Sequence, residues 1–528
     1  MRVPHTSRLL LAVLSWALVP FPSGVLAADD DPGKKPPPPP PPPPPPAQIA
    51  DTVFRNGSIY TLDRANTKVR DLAVKDGIIT FVGDDASRYI GPKTTVINLL
   101  GRAAIPGLVD SHMHVLAGGQ FLLSCNLNYQ PLDLAGVLSH IQGCVDSEPE
   151  KNTASSWLEV VNLDYPSLST KSGAVTKANL DGLRTVRPIL VRSSDYHTVW
   201  INTRALSLSG ITASTPDPPG GKVERLPGSQ EPSGILDDEA RSLVALPPAT
   251  PADNIASADA ALRLLREAGI TTFQDAASIP EVHGEAFAAV KAKGGLTARA
   301  YFDYKIDMPN TTDAIPALIN DVVAQTSKYN DKTPAGRLPT IKWQAIKAFL
   351  DGVITYPTST GAVLAPYYMP VNGTDQWAPD NNTWPKTYWT PSTLNLVLEQ
   401  LILHHIDAQM HADGDAAVRV GLDAVQFFRS RHPGNKDYKV GLAHDELTDP
   451  ADWGRFADLG VDAIMSYQWA QPSAFWIPQT FASLGPRRIN YLEAWGEIAK
   501  RGRPIVYGSD WPVSLIPRSL SLREGITN

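Results

Sequence analysis

Ile105-Pro-Gly-Leu-Val-Asp-Ser-His-Met-His114 decides how the rest of the chain is read. Residues two apart on a β-strand point to the same face. The apolar run from Ala103 to Val109 therefore ends by presenting His112 and His114 side by side at a strand end. Pro106-Gly107 breaks the strand's regularity just before them. Two imidazoles so placed are a ready pair of metal ligands. A lone His-x-His is a weak signal. Its weight comes from Lys347, His411, His444 and Asp510, each near the C-terminal end of its own apolar run.

Those runs alternate with amphipathic helical patterns, as in successive βα units. The predicted strands are the one that ends at His114, then 271–276, 297–302, 341–349, 408–411, 440–444, 463–467 and 505–508. Eight is the number that closes a (β/α)8 barrel. An α/β fold with a TIM-like barrel is thus expected over residues 104–528. The count makes residues 115–254 an insertion after the first barrel strand. That insertion holds strand candidates at Leu158–Leu163 and 188–192 and the turn-rich Thr215-Pro-Asp-Pro-Pro-Gly-Gly221. On a βα loop it would lie over the active face and shape the substrate site. One helix is expected over 255–268, with Asp253 as its N-cap and Gly269 as its stop. Another starts near Asp415 and carries Val418, Leu422 and Val425 on one face.

Ahead of the barrel, residues 50–103 read as a small antiparallel β-module, with turns at Asn56-Gly57 and Asp76-Gly77. Residues 28–49 form a proline-rich linker. Its unbroken run Pro36 to Pro46 is a polyproline II spacer about 34 Å long. Residues 1–27 combine a basic start, an apolar stretch from Leu9 to Val19 and Val25-Leu26-Ala27 before the cut. That is a signal peptide, so a secreted or periplasmic protein is expected. No later segment has the roughly 20 apolar residues of a membrane span. The formal net charge of -7 comes with no Lys/Arg block, which argues against a nucleic-acid partner. A homo-oligomer stays open. Cys125 and Cys144 are the only cysteines. They form either a disulfide, contributing roughly 3 kcal/mol, or two buried free thiols. Asn56, Asn310, Asn372 and Asn381 head sequons that matter only in a eukaryotic secretory pathway.

Pro106-Gly-Leu-Val-Asp-Ser-His-Met-His114, Lys347-x3-Asp-Gly352, His411-Ala-x-Gly-Asp-x-Ala417 and Gly508-Ser-Asp-Trp-Pro512 together resemble the amidohydrolase superfamily. The branch they resemble is amidohydrolase family 3 of the YtcJ-like type, which includes N-substituted formamide deformylases. The resemblance runs from about Asp51 onward and takes in Asp195-Tyr-His-Thr-Val-Trp-Ile-Asn202. It implies a barrel beside a small β-sandwich, and one or two divalent metals, with zinc, manganese and iron all suited. It also implies hydrolysis of a non-peptide C–N bond in a small amide, such as an N-formyl or N-acyl group.

By position, His112 and His114 would bind the more buried metal, and His411 and His444 the second. Lys347 would be a carbamylated lysine bridging the two. Asp510 would ligate the first metal and act as the catalytic proton acceptor for the attacking water. An unmodified Lys347 would instead pair with Asp351. His197 is either a substrate contact or a hydrogen-bonded structural residue, and His404 and His405 read as structural. Asp413 stands where relatives commonly carry an apolar residue. Such relatives continue well past the Gly-Ser-Asp motif, whereas this sequence stops 18 residues after Asp510. The sandwich is therefore expected to lack its C-terminal strands and keep open edges. A catalytically impaired metal-binding remnant and a metal-dependent esterase or lactonase are the alternative readings.

Overall fold

The structure, a computed structural model, describes residues 48–332, 338–470 and 477–513. The expected signal segment, the proline run and everything past Val513 lie outside the described residues.

The eight expected barrel strands are all present. They are β1 (Leu108–Met113), β2 (Ile270–Ser278), β3 (Arg299–Lys305), β4 (Ile341–Phe349), β5 (Asp407–Ala412), β6 (Val440–His444), β7 (Asp462–Met465) and β8 (Ile505–Tyr507). They pair in chain order in one eight-stranded sheet, every neighbour parallel. The ring is drawn shut just beyond β8, where Asp510 N donates to His112 O and His114 N to Trp511 O, each at 2.7 Å. Gly508 makes that approach feasible: a Cβ there would lie 2.5 Å from His112 Cβ.

The helices explain themselves locally. Pro251–Glu267 starts one turn earlier than expected because Thr250, not Asp253, is its N-cap. Thr250 Oγ1 accepts from Asp253 N while the Asp253 carboxylate accepts from Thr250 N, a reciprocal capping box with Pro251 at the first helical position. Gly269, at φ +77°, follows its end. Asp415–Arg431 buries Val418, Leu422, Val425 and Phe428 in the largest apolar cluster of the barrel. Each such side chain contributes about 1.5–3 kcal/mol on burial.

The insertion between β1 and β2 is a second α/β layer. Its six-stranded sheet runs Gly221–Arg225, Pro232–Asp238, Thr198–Ile201, Ile189–Ser193, Leu158–Leu163, Cys125–Asn126. Four of these strands carry no clear sequence signal. Thr198–Ile201 and Pro232–Asp238 are buried along their whole length and so show no alternation. Cys125 and Cys144 are disulfide-bonded. The bond ties the sheet's edge strand to the helix Leu134–Ser147, closing a short loop worth about 3 kcal/mol by chain entropy. Replacing both cysteines by serine should lower stability by about that amount in urea denaturation; an unchanged midpoint would contradict it.

Asp237 gives this layer a pH dependence. It accepts a 2.8 Å hydrogen bond from Thr198 Oγ1. Burial, with the neighbouring charges of Glu224 and Asp238, nonetheless pushes its carboxyl up to about 7. A folded-state value above the unfolded one means that the folded protein holds an extra proton between about pH 4 and 7. This group's stabilisation is therefore complete at the acid end of that window and declines as pH rises through it. Asp237→Asn keeps an acceptor for Thr198 and cannot ionise. It should raise stability at pH 8 by about 2 kcal/mol and leave it unaltered at pH 4.5, read by urea melts at both values.

Residues 50–56 and 70–100 form a separate unit. Thr52–Arg55 pairs antiparallel with Asp71–Lys75, which pairs antiparallel with Ile78–Gly83. The expected all-antiparallel module needs correction, because Thr95–Asn98 joins Thr52–Arg55 in parallel. The segment between, with its 3-10 turn Ser87–Tyr89, carries the chain back across, so the last strand enters in the same direction. The sheet buries Val53, Ala73, Ala86 and Tyr89, and Ile78–Gly83 and Thr95–Asn98 are its edges. A second small sheet, Lys68–Val69, Ser58–Tyr60 and Ala103–Ala104, belongs with the barrel unit.

Candidate metal centre

Strand periodicity brings the site together. Asp110 and His112 are alternate buried residues of β1, and Gln409 and His411 are alternate buried residues of β5. Lys347 lies near the end of β4, and His444 is the last residue of β6. His444, Asp445 and Asp510 take positive φ of +86°, +52° and +53°, a conformation that costs a non-glycine residue energy and gathers at functional sites.

Asp510 Oδ1 lies 3.2 Å from Nε2 of both His112 and His114, and its Oδ2 lies 3.9 Å from His444 Nδ1. The ring centroids of His411 and His444 are 4.4 Å apart, those of His112 and His444 4.9 Å. Lys347 Nζ is 3.4 Å from His112 Nε2. All six expected residues thus meet in one place.

The outer hydrogen bonds settle where the protons are. Gln409 Nε2 donates to Ser111 O at 3.0 Å, which turns Oε1 toward His112 Nδ1. An amide oxygen only accepts, so Nδ1 carries the proton and His112 Nε2 is a lone pair. His114 Nδ1 donates to Ala276 O at 2.8 Å, which leaves its Nε2 a lone pair as well. Two imidazole lone pairs and a carboxylate oxygen converge, with Asp510 Oδ1 buried and without a hydrogen bond. A bound cation would satisfy all three groups at once, and these donors suit a divalent ion. Burial above all holds His112 down to about 4 and His411 and His444 well below the ordinary imidazole value. They are neutral at pH 7, the form that ligates. Burial works against the ionised form of Asp510. A proton on the facing imidazole nitrogens of His112, His114 or His444 outweighs burial and holds the carboxyl well below its usual range, and a cation bound between them would act in the same direction.

His411 Nε2 donates to Gly352 O at 2.9 Å, which leaves Nδ1 as its free nitrogen. The Lys347–Asp351 ion pair is not formed. Asp351 instead accepts from the backbone N–H groups of Ala362, Asp413 and Gly414. Among the described residues no carboxylate comes within ion-pair reach of the fully buried Lys347.

A cavity of about 500 Å³ opens beside these groups, lined by His114, His411, His444 and Asp510 from the barrel and by His197, Asp238 and Arg241 from the insertion. His197 Nδ1 lies 2.5 Å from Asp238 Oδ1, and its ring centroid 5.6 Å from that of His411. Asp413 and Glu446 also face the cavity, and burial raises both, Asp413 to about 7. His283, for which the sequence offered no role, lies on the wall with Nδ1 against the Ile279 backbone. His404 is exposed and bonds Gln400 O. Gln409 was missed although it stands two residues before His411 on the same strand, so period-two reasoning could have found it. Asp238, Arg241 and Tyr388 had no comparable signal.

The sequence model of the amidohydrolase family matches residues 95–527. A putative amidohydrolase, YtcJ, from Bacillus subtilis (strain 168) is 24% identical over 479 residues, covering 90% of this chain and 83% of that protein. The N-substituted formamide deformylase of Arthrobacter pascens is 23% identical over 450 residues, covering 81% and 76%. The fold is shared with an uncharacterized metal-dependent hydrolase from Pyrococcus furiosus, at TM-score 0.63 and 17% identity over 90% of this chain and 89% of that one. With the barrel, its strand-end histidines and a family match over most of its length, this chain belongs to the amidohydrolase family.

Proposed function

We propose that the chain is an exported metal-dependent hydrolase that cleaves a non-peptide C–N bond, with N-formyl and N-acyl amides as its substrate class. The observation that carries this reading is the convergence of Asp510 Oδ1 with the unprotonated Nε2 atoms of His112 and His114. Those three residues would hold one divalent ion. His411, His444 and a carbamylated Lys347 would hold a second, with zinc, manganese and iron all compatible with the donors. A divalent ion bound there supplies Lewis-acid polarisation of the scissile carbonyl and acidifies the attacking water.

The chain's own residues do the rest. Asp510 is held ionised, so it accepts the proton of the attacking water and delivers it to the leaving nitrogen, which an amine leaving group requires. His197, oriented by Asp238, offers Nε2 to the substrate from the insertion side. The amide class is supported by similarity to the formamide deformylase. Export is supported by the sequence pattern of residues 1–27.

Metal analysis of the purified protein, followed by a panel of formamides, N-acyl amides, esters and lactones with and without chelator, tests the reading. Hydrolysis of amides that stops on metal removal and returns with zinc is expected. A folded, metal-loaded protein that cleaves only esters or lactones, or nothing, would sink it, as would activity indifferent to chelation.

A further inference from the structure

Arg241 is the unexplained cation of the cavity. Its Nε donates to Asp238 O at 2.7 Å. Among the described residues neither Nη has a protein partner, and the side chain faces the cavity. Asp238, Glu239 and Asp195 are near enough to feel its charge, yet none is within ion-pair distance. The guanidinium is part-exposed to the cavity and has no direct ion-pair partner among the described residues, so an anionic ligand would add a charge-assisted contact that the protein itself does not supply.

The group is also held still. Asp238 adopts φ +48° and ψ -124°, outside the comfortable regions for a residue with a Cβ. Its N donates to His197 O at 2.7 Å, its Oδ1 meets His197 Nδ1, and its carbonyl takes Arg241 Nε. One strained residue thus fixes His197 and Arg241 together on the wall that faces His411.

A second, independent group points the same way. Tyr388 Oη is buried with no hydrogen-bond partner and lines the same cavity. It lies against Gly352, where a Cβ would come within 2.9 Å of it, and the Gly352 carbonyl is the one that anchors His411. Burial first, then the Asp238 and Asp351 charges, raise this phenol above its ordinary value, so it remains a donor. A planar guanidinium fork and a phenol O–H on the wall of one cavity, near enough for the Arg241 charge to act on the phenol, are a set of donors for an oxyanion.

We propose that Arg241 and Tyr388 form the subsite that receives an oxyanion, a carboxylate or a phosphate, carried by the amide substrate away from its scissile bond. This rests on the hydrolase reading above.

The test uses full-length, metal-loaded protein and matched substrate pairs. These are N-formylglycine, N-formylleucine and N-formylphenylalanine against their C-terminal amides, and N-formylethanolamine phosphate against N-formylethanolamine. Wild type should favour the anionic member of at least one pair by about 100-fold in kcat/KM. The pair with the larger ratio tells carboxylate from phosphate. In Arg241→Met that ratio should collapse to below about 5, mainly through KM. Arg241→Lys should recover part of it, since a point charge lacks the fork. Tyr388→Phe should lower it about fivefold. Circular dichroism and metal content establish that each variant is folded.

A wild type indifferent to the anion, or an Arg241→Met ratio equal to wild type, overturns the proposal. If wild type cleaves no member, the wider amide panel decides the hydrolase reading, and calorimetric titration with the same four anions decides the subsite separately. Binding lost in Arg241→Met upholds it, and no binding to wild type overturns it.

Discussion

Asp510→Asn should lower kcat/KM by about a thousandfold while the protein still folds and binds metal. Asparagine has the shape of aspartate and keeps an oxygen where Oδ1 faces the two histidines, but it cannot take up a proton. The barrel closure runs through the backbone of residues 510 and 511, so it is untouched by the substitution. His112 and His114 keep their tautomers, because those are fixed by Gln409 and by the Ala276 carbonyl. Turnover and metal content by elemental analysis, measured on one preparation, separate the roles. Full activity with bound metal would end the proton-transfer assignment. Loss of metal together with activity would make Asp510 a ligand alone.

Acid should reveal the same centre from its other side. His112 is held down to about 4, so protons compete for its Nε2 only well below the pH at which an exposed imidazole pair would be lost. Lowering pH from 7 to 5 should therefore leave metal content nearly unchanged, with release nearer pH 4. Dialysis across that range followed by elemental analysis checks it. Release centred near pH 6.5 would mean that the ligand histidines titrate as exposed imidazoles do and that burial does not hold His112 down.

Why these residues were readable and others were not has a physical basis. His112, His114, Lys347, His411, His444 and Asp510 each lie at or just past the C-terminal end of an apolar strand. A parallel barrel converts that one-dimensional regularity into convergence at a single rim. The rule that places His114 beside His112 also places Asp110 and Gln409 behind them. The insertion follows no such rule. Pro232–Asp238 is buried on both faces and begins with proline, so neither alternation nor β-branched composition marks it. Asp238 and Arg241 reach the cavity only because that strand ends there. Tyr388 arrives from a loop that returns over the Leu350 carbonyl. Such positions are set by tertiary contacts, which no local pattern encodes.

Lys347→Ala should weaken binding of the second metal by at least about a hundredfold and abolish activity with it, and short carboxylates should restore part of both. Lys347 is completely buried, with its Nζ 3.4 Å from His112 Nε2 and over the ring of Phe349, and Asp510 and Asp303 near enough to feel its charge without pairing with it. Among the described residues an ammonium there would be desolvated, without a direct ion pair, and beside the proposed cations. Burial lowers its pKa to about 8, so a useful fraction is free amine near neutral pH. That amine can add to carbon dioxide, forming the N–C bond of a carbamate and releasing one proton. The product turns a repelling cation into an anion with two ligand oxygens. Alanine leaves a space that acetate or propionate can occupy, whereas Lys347→Met fills it, so rescue is expected only for the first variant. Wild-type apoprotein should likewise take up its second metal faster with bicarbonate than in buffer stripped of carbon dioxide. Equal uptake in both buffers, with no carboxylate rescue of Lys347→Ala, would leave Lys347 an ordinary buried amine and the centre limited to the ion held by His112, His114 and Asp510.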